Sequence, residues 1–179
     1  MDKELIKGLI AEYQQFVKSV SFVKRAVTLS DNFNYVFVGL RRVGKSYLMY
    51  QQIHHLIETG ISPEEILFFN FEDERIAGMD TEHLDMIKRC YEEMYSHRPI
   101  FFLDEIQIVP HWEQFVRRLA DQKYRVYVTG SNAKMLSKDI ATTLGGRFMI
   151  QYVYPFSFRE YLSSNGVQLD KLWIYKNRS

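Results

Sequence analysis

Gly39-Leu40-Arg41-Arg42-Val43-Gly44-Lys45-Ser46 follows the apolar run Tyr35-Val36-Phe37-Val38 and precedes a helical pattern from Tyr47 to Ile57. This strand–loop–helix setting decides the fold. A G-x-x-x-x-G-K-[ST] loop wraps a phosphate chain with backbone N–H groups, and the following helix points its positive N-terminal end at the same anion. Gly39 and Gly44 permit the backbone angles and the close approach. Lys45 is suited to the β- and γ-phosphates, and the Ser46 hydroxyl to Mg²⁺. Arg42, Val43 and Tyr47 complete the stretch expected to touch the nucleotide. The plain alternative is a glycine turn before an ordinary helix, and a strand and a helix both in place argue against it.

Outward from the loop, buried strands alternate with helices. Leu5, Ile6, Leu9, Ile10, Tyr13, Phe16, Val17 and Val20 recur at helical spacing and predict an amphipathic helix within residues 1–30, packed on the core or meeting a partner. Ile66–Phe71, Ile100–Leu103 and Arg125–Thr129 read as strands, and Phe148–Tyr154 alternates as a last one. Helices are expected from Asp80 or Thr81 to about Ser96, from Trp112 to about Gln122, and over Pro155–Leu162. Wholly apolar strands are buried on both faces, so the fold class is α/β, with a largely parallel sheet covered by helices.

Composition narrows the setting. The chain has 179 residues, 46% hydrophobic and 25% charged, which suits one domain with a sizeable core. A net charge of +1 excludes a strong overall field toward nucleic acid. The single cysteine, Cys90, cannot form an internal disulfide and reads as a half-buried structural thiol, which fits a cytoplasmic location. No secretory signal and no membrane span is expected. His54 and His55 are adjacent on a helix and face apart, a poor metal pair.

Three further features carry chemistry. Ile100-Phe101-Phe102-Leu103 ends at Asp104-Glu105, about sixty residues beyond the loop. Acids at the carboxyl end of a buried strand lie on the edge where open α/β sheets bind ligands. Asp104 would hold Mg²⁺ opposite Ser46, and Glu105 would orient or deprotonate an attacking water. Glu72-Asp73, after the strand of Ile66–Phe71, is a rival pair, but Asn70 interrupts its apolar run. Thr129-Gly130-Ser131-Asn132 ends another strand. Its side chains suit a γ-phosphate or a water, and equally a turn and helix cap. Leu144-Gly145-Gly146-Arg147 sets an arginine after two glycines. An arginine can stabilise a transferring phosphoryl group from its own or a neighbouring subunit, or it can be plain surface.

At these places together the chain resembles AAA+ ATPases, within a bacterial and archaeal group that also carries Asp-Glu-Ile-Gln (104–107), Trp112 and a Pro-x-Ser-Phe helix start (Pro155, Ser157, Phe158). The resemblance covers residues 30–163. It implies a five-stranded sheet of order five-one-four-three-two, and ATP with Mg²⁺ as the ligands. It also implies a sensor role for Ser131 or Asn132, and Arg147 as an arginine finger. The expected division is a helix over 1–30 packed on the core, a nucleotide domain over 31–165, and a truncated C-terminal segment from 166 to 179. The family usually continues into a further domain, and nucleic acid would be met only through that missing part.

The expected activity is ATP hydrolysis that drives conformational change in a homo-oligomer or in an unknown protein partner. Two alternatives remain open: a nucleotide-gated binding module with little turnover, and a small-molecule kinase. Against the kinase stand the water-activating acid and the absence of an arginine-rich lid.

Overall fold

The computed structural model describes residues 2–131, 135 and 139–167. Strands Asn34–Val38 (β1), Ile66–Asn70 (β2), Ile100–Asp104 (β3), Val126–Gly130 (β4) and Phe148–Tyr152 (β5) form one sheet in the order β2-β3-β4-β1-β5. Every neighbouring pair is parallel. This is the expected order, read from the opposite edge. The strands form because their residues are apolar, often β-branched or aromatic, and bounded by turn residues. β3 and β4 are buried along their whole length, and β1 and β2 except at one end. β5 lies at an edge and is half exposed, which is why its sequence alternates.

The helices are Lys3–Ser19 (α1), Lys45–Glu58 (α2), Thr81–Met94 (α3), Trp112–Asp121 (α4), Asp139–Thr143 (α5) and Phe158–Ser164 (α6). Right-handed crossovers place α2 on one face of the sheet and α3 and α4 on the other. α1 starts at Asp2, whose carboxylate accepts from the Glu4 N–H. It buries Ile6, Leu9, Ile10, Tyr13 and Val17 against the β2 edge and α3. Gln14 Nε2 donates to the Ile66 carbonyl at 2.9 Å, so a helix side chain meets the edge strand's backbone. Phe16, expected in the same stripe, is 45% exposed and touches the Tyr50 ring edge-on.

Three expectations change. Cys90 is fully buried rather than half-buried, because α1 lies over α3 there. The helix expected from Pro155 begins at Phe158, where Ser157 and Glu160 form a reciprocal cap. The short helix α5 had no periodic signal in the sequence. The segment expected over 166–179 lies outside the described residues from 168 onward.

An aromatic ladder sets the spacing of the central strands. The Tyr127 ring stacks on Phe102 at 4.4 Å and on Tyr35 at 5.9 Å, linking β3, β4 and β1. The Tyr127 hydroxyl is buried, with Arg125 and Gln52 its nearest polar groups, and has no partner in hydrogen-bond geometry among the described residues. Tyr127→Phe should therefore raise stability by about 1 kcal/mol, or about 2–4 °C in a thermal melt. A lower melting temperature would mean that the hydroxyl is bonded.

Candidate functional site

The loop between β1 and α2 lies at the carboxyl edge of the sheet. A Cβ on Gly39 would collide with the Val153 carbonyl oxygen, because the segment after β5 crosses over the loop at that point. Gly44 has φ of 93°, a left-handed conformation that glycine adopts freely. The N-cap of α2 is Gly44, which makes no side-chain cap, so among the described residues no cap competes with an anion for the first N–H groups of α2.

Lys45 is buried, with its side chain 3% exposed. Its Nζ donates to the Leu40 carbonyl at 3.1 Å and lies 3.2 Å from Glu105 Oε1. Asp104 ends β3 and is also buried. Thr129, at the adjoining tip of β4, ties the two acids together. Its hydroxyl donates to Asp104 Oδ1 at 2.5 Å and accepts from the Glu105 N–H at 2.8 Å. Glu105 itself has φ of 54°, which turns its side chain back over the sheet edge. The Ser131 hydroxyl donates to Glu105 Oε2 at 3.0 Å. Gln107 Nε2 donates to the same oxygen at 2.5 Å. Lys45, Ser46 and Glu105, together with Arg41 and Glu72, line one cleft of about 700 Å³.

Burial pushes the Asp104 carboxyl up to about 6, against hydrogen bonds from Thr129 and Ser46 that favour the ionised form. A divalent cation would relieve that cost. Asp104 and Ser46 offer two oxygen donors, which fits Mg²⁺: it keeps several waters and takes few protein ligands beside phosphate oxygens. No larger group of metal-binding side chains is assembled among the described residues.

Arg42, with φ of 61°, Gly44 and Tyr47, 51% exposed, line the same cleft. With Val43 they also border a neighbouring apolar cleft of about 890 Å³ that includes Phe22, Val23 and Phe156. Asp73, of the rival pair, accepts from Tyr13 at 2.6 Å and from Arg75, whose guanidinium holds its carboxyl below the usual range. Glu72 pairs with Arg41 at 2.9 Å. Asn132 lies outside the described residues.

Arg147 is not brought to the loop. It precedes β5, at the opposite edge of the sheet, and pairs with Asp121 at 2.6 Å. Five strand residues separate that edge from the loop, about 17 Å. That distance exceeds the reach of an arginine side chain in this conformation, so acting on its own chain's nucleotide would require closure.

Sequence patterns missed three participants. Thr129 reads from sequence as a strand end suited to a phosphate or a water, and its clamp on the two acids carries no signal of its own. Gln107 appeared only as a motif letter. Arg25 had no signal at all. It is 8% exposed, and its guanidinium meets Glu160 at 2.8 Å, the Tyr154 carbonyl at 2.8 Å and the Val43 carbonyl at 3.2 Å.

A family model described as an AAA domain matches residues 31–162. An uncharacterized protein of Methanocaldococcus jannaschii is 32% identical over 171 residues, 94% of this chain and 37% of that relative. An uncharacterized protein of Haemophilus influenzae is 35% identical over 162 residues, 86% of this chain and 40% of that relative. The chain thus spans well under half the length of these relatives. Among the described residues no helix is long and apolar enough to cross a membrane.

The raised Asp104 value has a stability consequence. The folded state holds its proton more tightly than the unfolded chain, so the penalty is absent below about pH 4, grows between pH 4 and 6, and is full above. In metal-free buffer at pH 8, Asp104→Asn should raise stability by about 1 kcal/mol or more and flatten the pH dependence between 4 and 6. Calorimetric melts across pH check this, and a destabilised variant at pH 8 would show a well-compensated carboxylate.

Proposed function

The chain belongs to the AAA domain family, and we propose that it binds MgATP in the cleft after β1 and hydrolyses it to drive conformational change in an oligomer or partner. The observation that carries this is the meeting of Lys45 and Glu105, 3.2 Å apart and both buried, at the loop and strand ends where the phosphates would lie.

In this proposal the first amides of α2 and Lys45 hold the β- and γ-phosphates. Ser46 and Asp104 would hold Mg²⁺, which when bound would neutralise phosphate charge. Glu105 accepts a proton from the attacking water, whose oxygen bonds the γ-phosphorus as the bond to the β–γ bridging oxygen breaks, giving phosphate and ADP. Ser131 orients the water or Glu105. The base rests in the apolar cleft beside Phe22, Val23 and Phe156. Lys45 must leave Glu105 to reach phosphate, which frees Glu105 Oε1 for water. Arg147 serves a neighbouring chain's nucleotide; its place at the far sheet edge supports action between subunits over action within one. A binding module with little turnover is the second proposal, favoured by one fact: both oxygens of Glu105 are engaged in this structure.

Lys45→Ala should abolish ATP binding by calorimetric titration. It should also lower stability, because Lys45 is buried and its loss leaves Glu105 unpaired. Glu105→Gln should keep ATP affinity and lose about a hundredfold or more in phosphate release. If both chains bind ATP as wild type does, the cleft is not the site. If wild type binds ATP and releases no phosphate at any concentration, the binding module stands instead.

Arg147→Ala should lose about a thousandfold in turnover at unchanged ATP affinity. Wild-type turnover per chain should climb with concentration. Mixing Arg147→Ala with Lys45→Ala, which can lend Arg147 but cannot bind ATP, should restore activity. Full turnover of Arg147→Ala alone would return this residue to a surface ion pair with Asp121.

A further inference from the structure

We propose that Gln107 is a positioning residue for Glu105: its amide holds one carboxylate oxygen so that the other faces the γ-phosphate of bound ATP. This rests on Glu105 acting as the base that activates water.

The local backbone is built for the contact. Glu105 adopts a left-handed φ of 54°, and the single helical turn Ile106–Ile108 that follows brings the Gln107 side chain back over it. Gln107 Nε2 then donates to Glu105 Oε2 at 2.5 Å, sharing that oxygen with the Ser131 hydroxyl. The reverse amide orientation would set two acceptors against each other, so the carboxylate fixes which end of the amide faces it.

The other end of the amide is held at a cost. Gln107 Oε1 is buried with no hydrogen-bond partner among the described residues. It rests against Gly130, where a Cβ would fall 2.5 Å from it, so the strand tip leaves room for the amide only as glycine. A buried acceptor left unpaired is a feature that folding alone does not favour, and a role at a site accounts for it. The two oxygens of Glu105 are also unequal. Oε1 faces Lys45, the group that turns to phosphate when nucleotide binds. Oε2 faces Gln107 and Ser131, which have no reason to leave. Lys45 therefore releases one oxygen to water while Gln107 keeps the carboxylate aimed.

The test uses Gln107→Met, close in size but without a donor, alone and combined with Glu105→Gln. Steady-state phosphate release and the Kd of a non-hydrolysable ATP analogue are measured for all four chains. Gln107→Met should slow phosphate release about tenfold or more in the wild-type background and leave the analogue Kd within about twofold. In the Glu105→Gln background it should slow nothing further, since the oxygen it aims no longer takes a proton. Gln107→Glu, equal in shape and lacking the donor when ionised, is the second variant if the methionine chain does not fold. Wild-type turnover in these variants overturns the proposal. So does an equal loss in both backgrounds, or weakened analogue binding, because each marks a packing role. If the wild-type chain itself binds ATP and releases no phosphate, the hydrolase function fails, and this role falls with it; that result is seen in wild type alone and is told apart from a failure in the variants.

Discussion

Lys45, Asp104 and Glu105 are charged side chains almost wholly withdrawn from water at the end of an otherwise apolar sheet. An isolated buried charge costs several kcal/mol, so each must be answered by a partner. Lys45 is answered by Glu105 and by the loop's own carbonyl at Leu40. Asp104 is answered by the hydroxyls of Thr129 and Ser46 and more weakly by the Lys45 charge, and burial outweighs them, pushing its carboxyl up. The cleft is thus electrostatically incomplete on the acid side and closed on the lysine side. A ligand that brings both a cation and a polyanion would reverse that pairing, with the cation meeting Asp104 and the anion drawing Lys45 off Glu105.

Why the charges gather there follows from the sheet. Parallel strands buried on both faces admit no polar side chain along their length, so chemistry is confined to the strand ends. β1, β3 and β4 end side by side, and their next residues are the glycine loop, Glu105 and Ser131. Thr129 is the exception that proves useful: it pairs in register with Phe37 of β1 and lies fully buried, yet its hydroxyl reaches both acids. One small polar group inside the sheet fixes the position of two larger ones outside it.

This division also explains what could be read from sequence. The apolar runs of 35–38, 66–69, 100–103 and 126–128 announced buried parallel strands, and Gly39, Gly44 and the Asp104-Glu105 pair announced which ends carry chemistry. These are local patterns, a few residues long. The Thr129 clamp joins residues 24 and 25 positions apart, and the Arg25–Glu160 pair spans 135 positions. Nothing in a period or a motif encodes such contacts. The place of Arg147 was hidden differently: its neighbours Gly145 and Gly146 were legible as a bend, but which end of the sheet the bend occupies depends on strand direction and order, and those are properties of the assembled sheet.

Arg25 shows how the cleft is tied to the rest of the chain. Its side chain bonds the Val43 carbonyl in the loop, the Tyr154 carbonyl after β5 and the Glu160 carboxylate of α6, while its guanidinium lies 4.9 Å from the centre of the Phe156 ring. Its backbone N–H and carbonyl are both bonded by the Gln51 side chain of α2. Four segments that share no backbone hydrogen-bond ladder with one another at this point are therefore held by one residue and its amide partner. Because the guanidinium is planar and its donors point in fixed directions, these bonds cannot all survive a shift of one segment against the others. Any movement of the loop at Val43 must either carry the Tyr154–Glu160 segment along or break a bond to a buried charge. Arg25 thereby makes the position of the Tyr154–Glu160 segment depend on the position of the loop after β1.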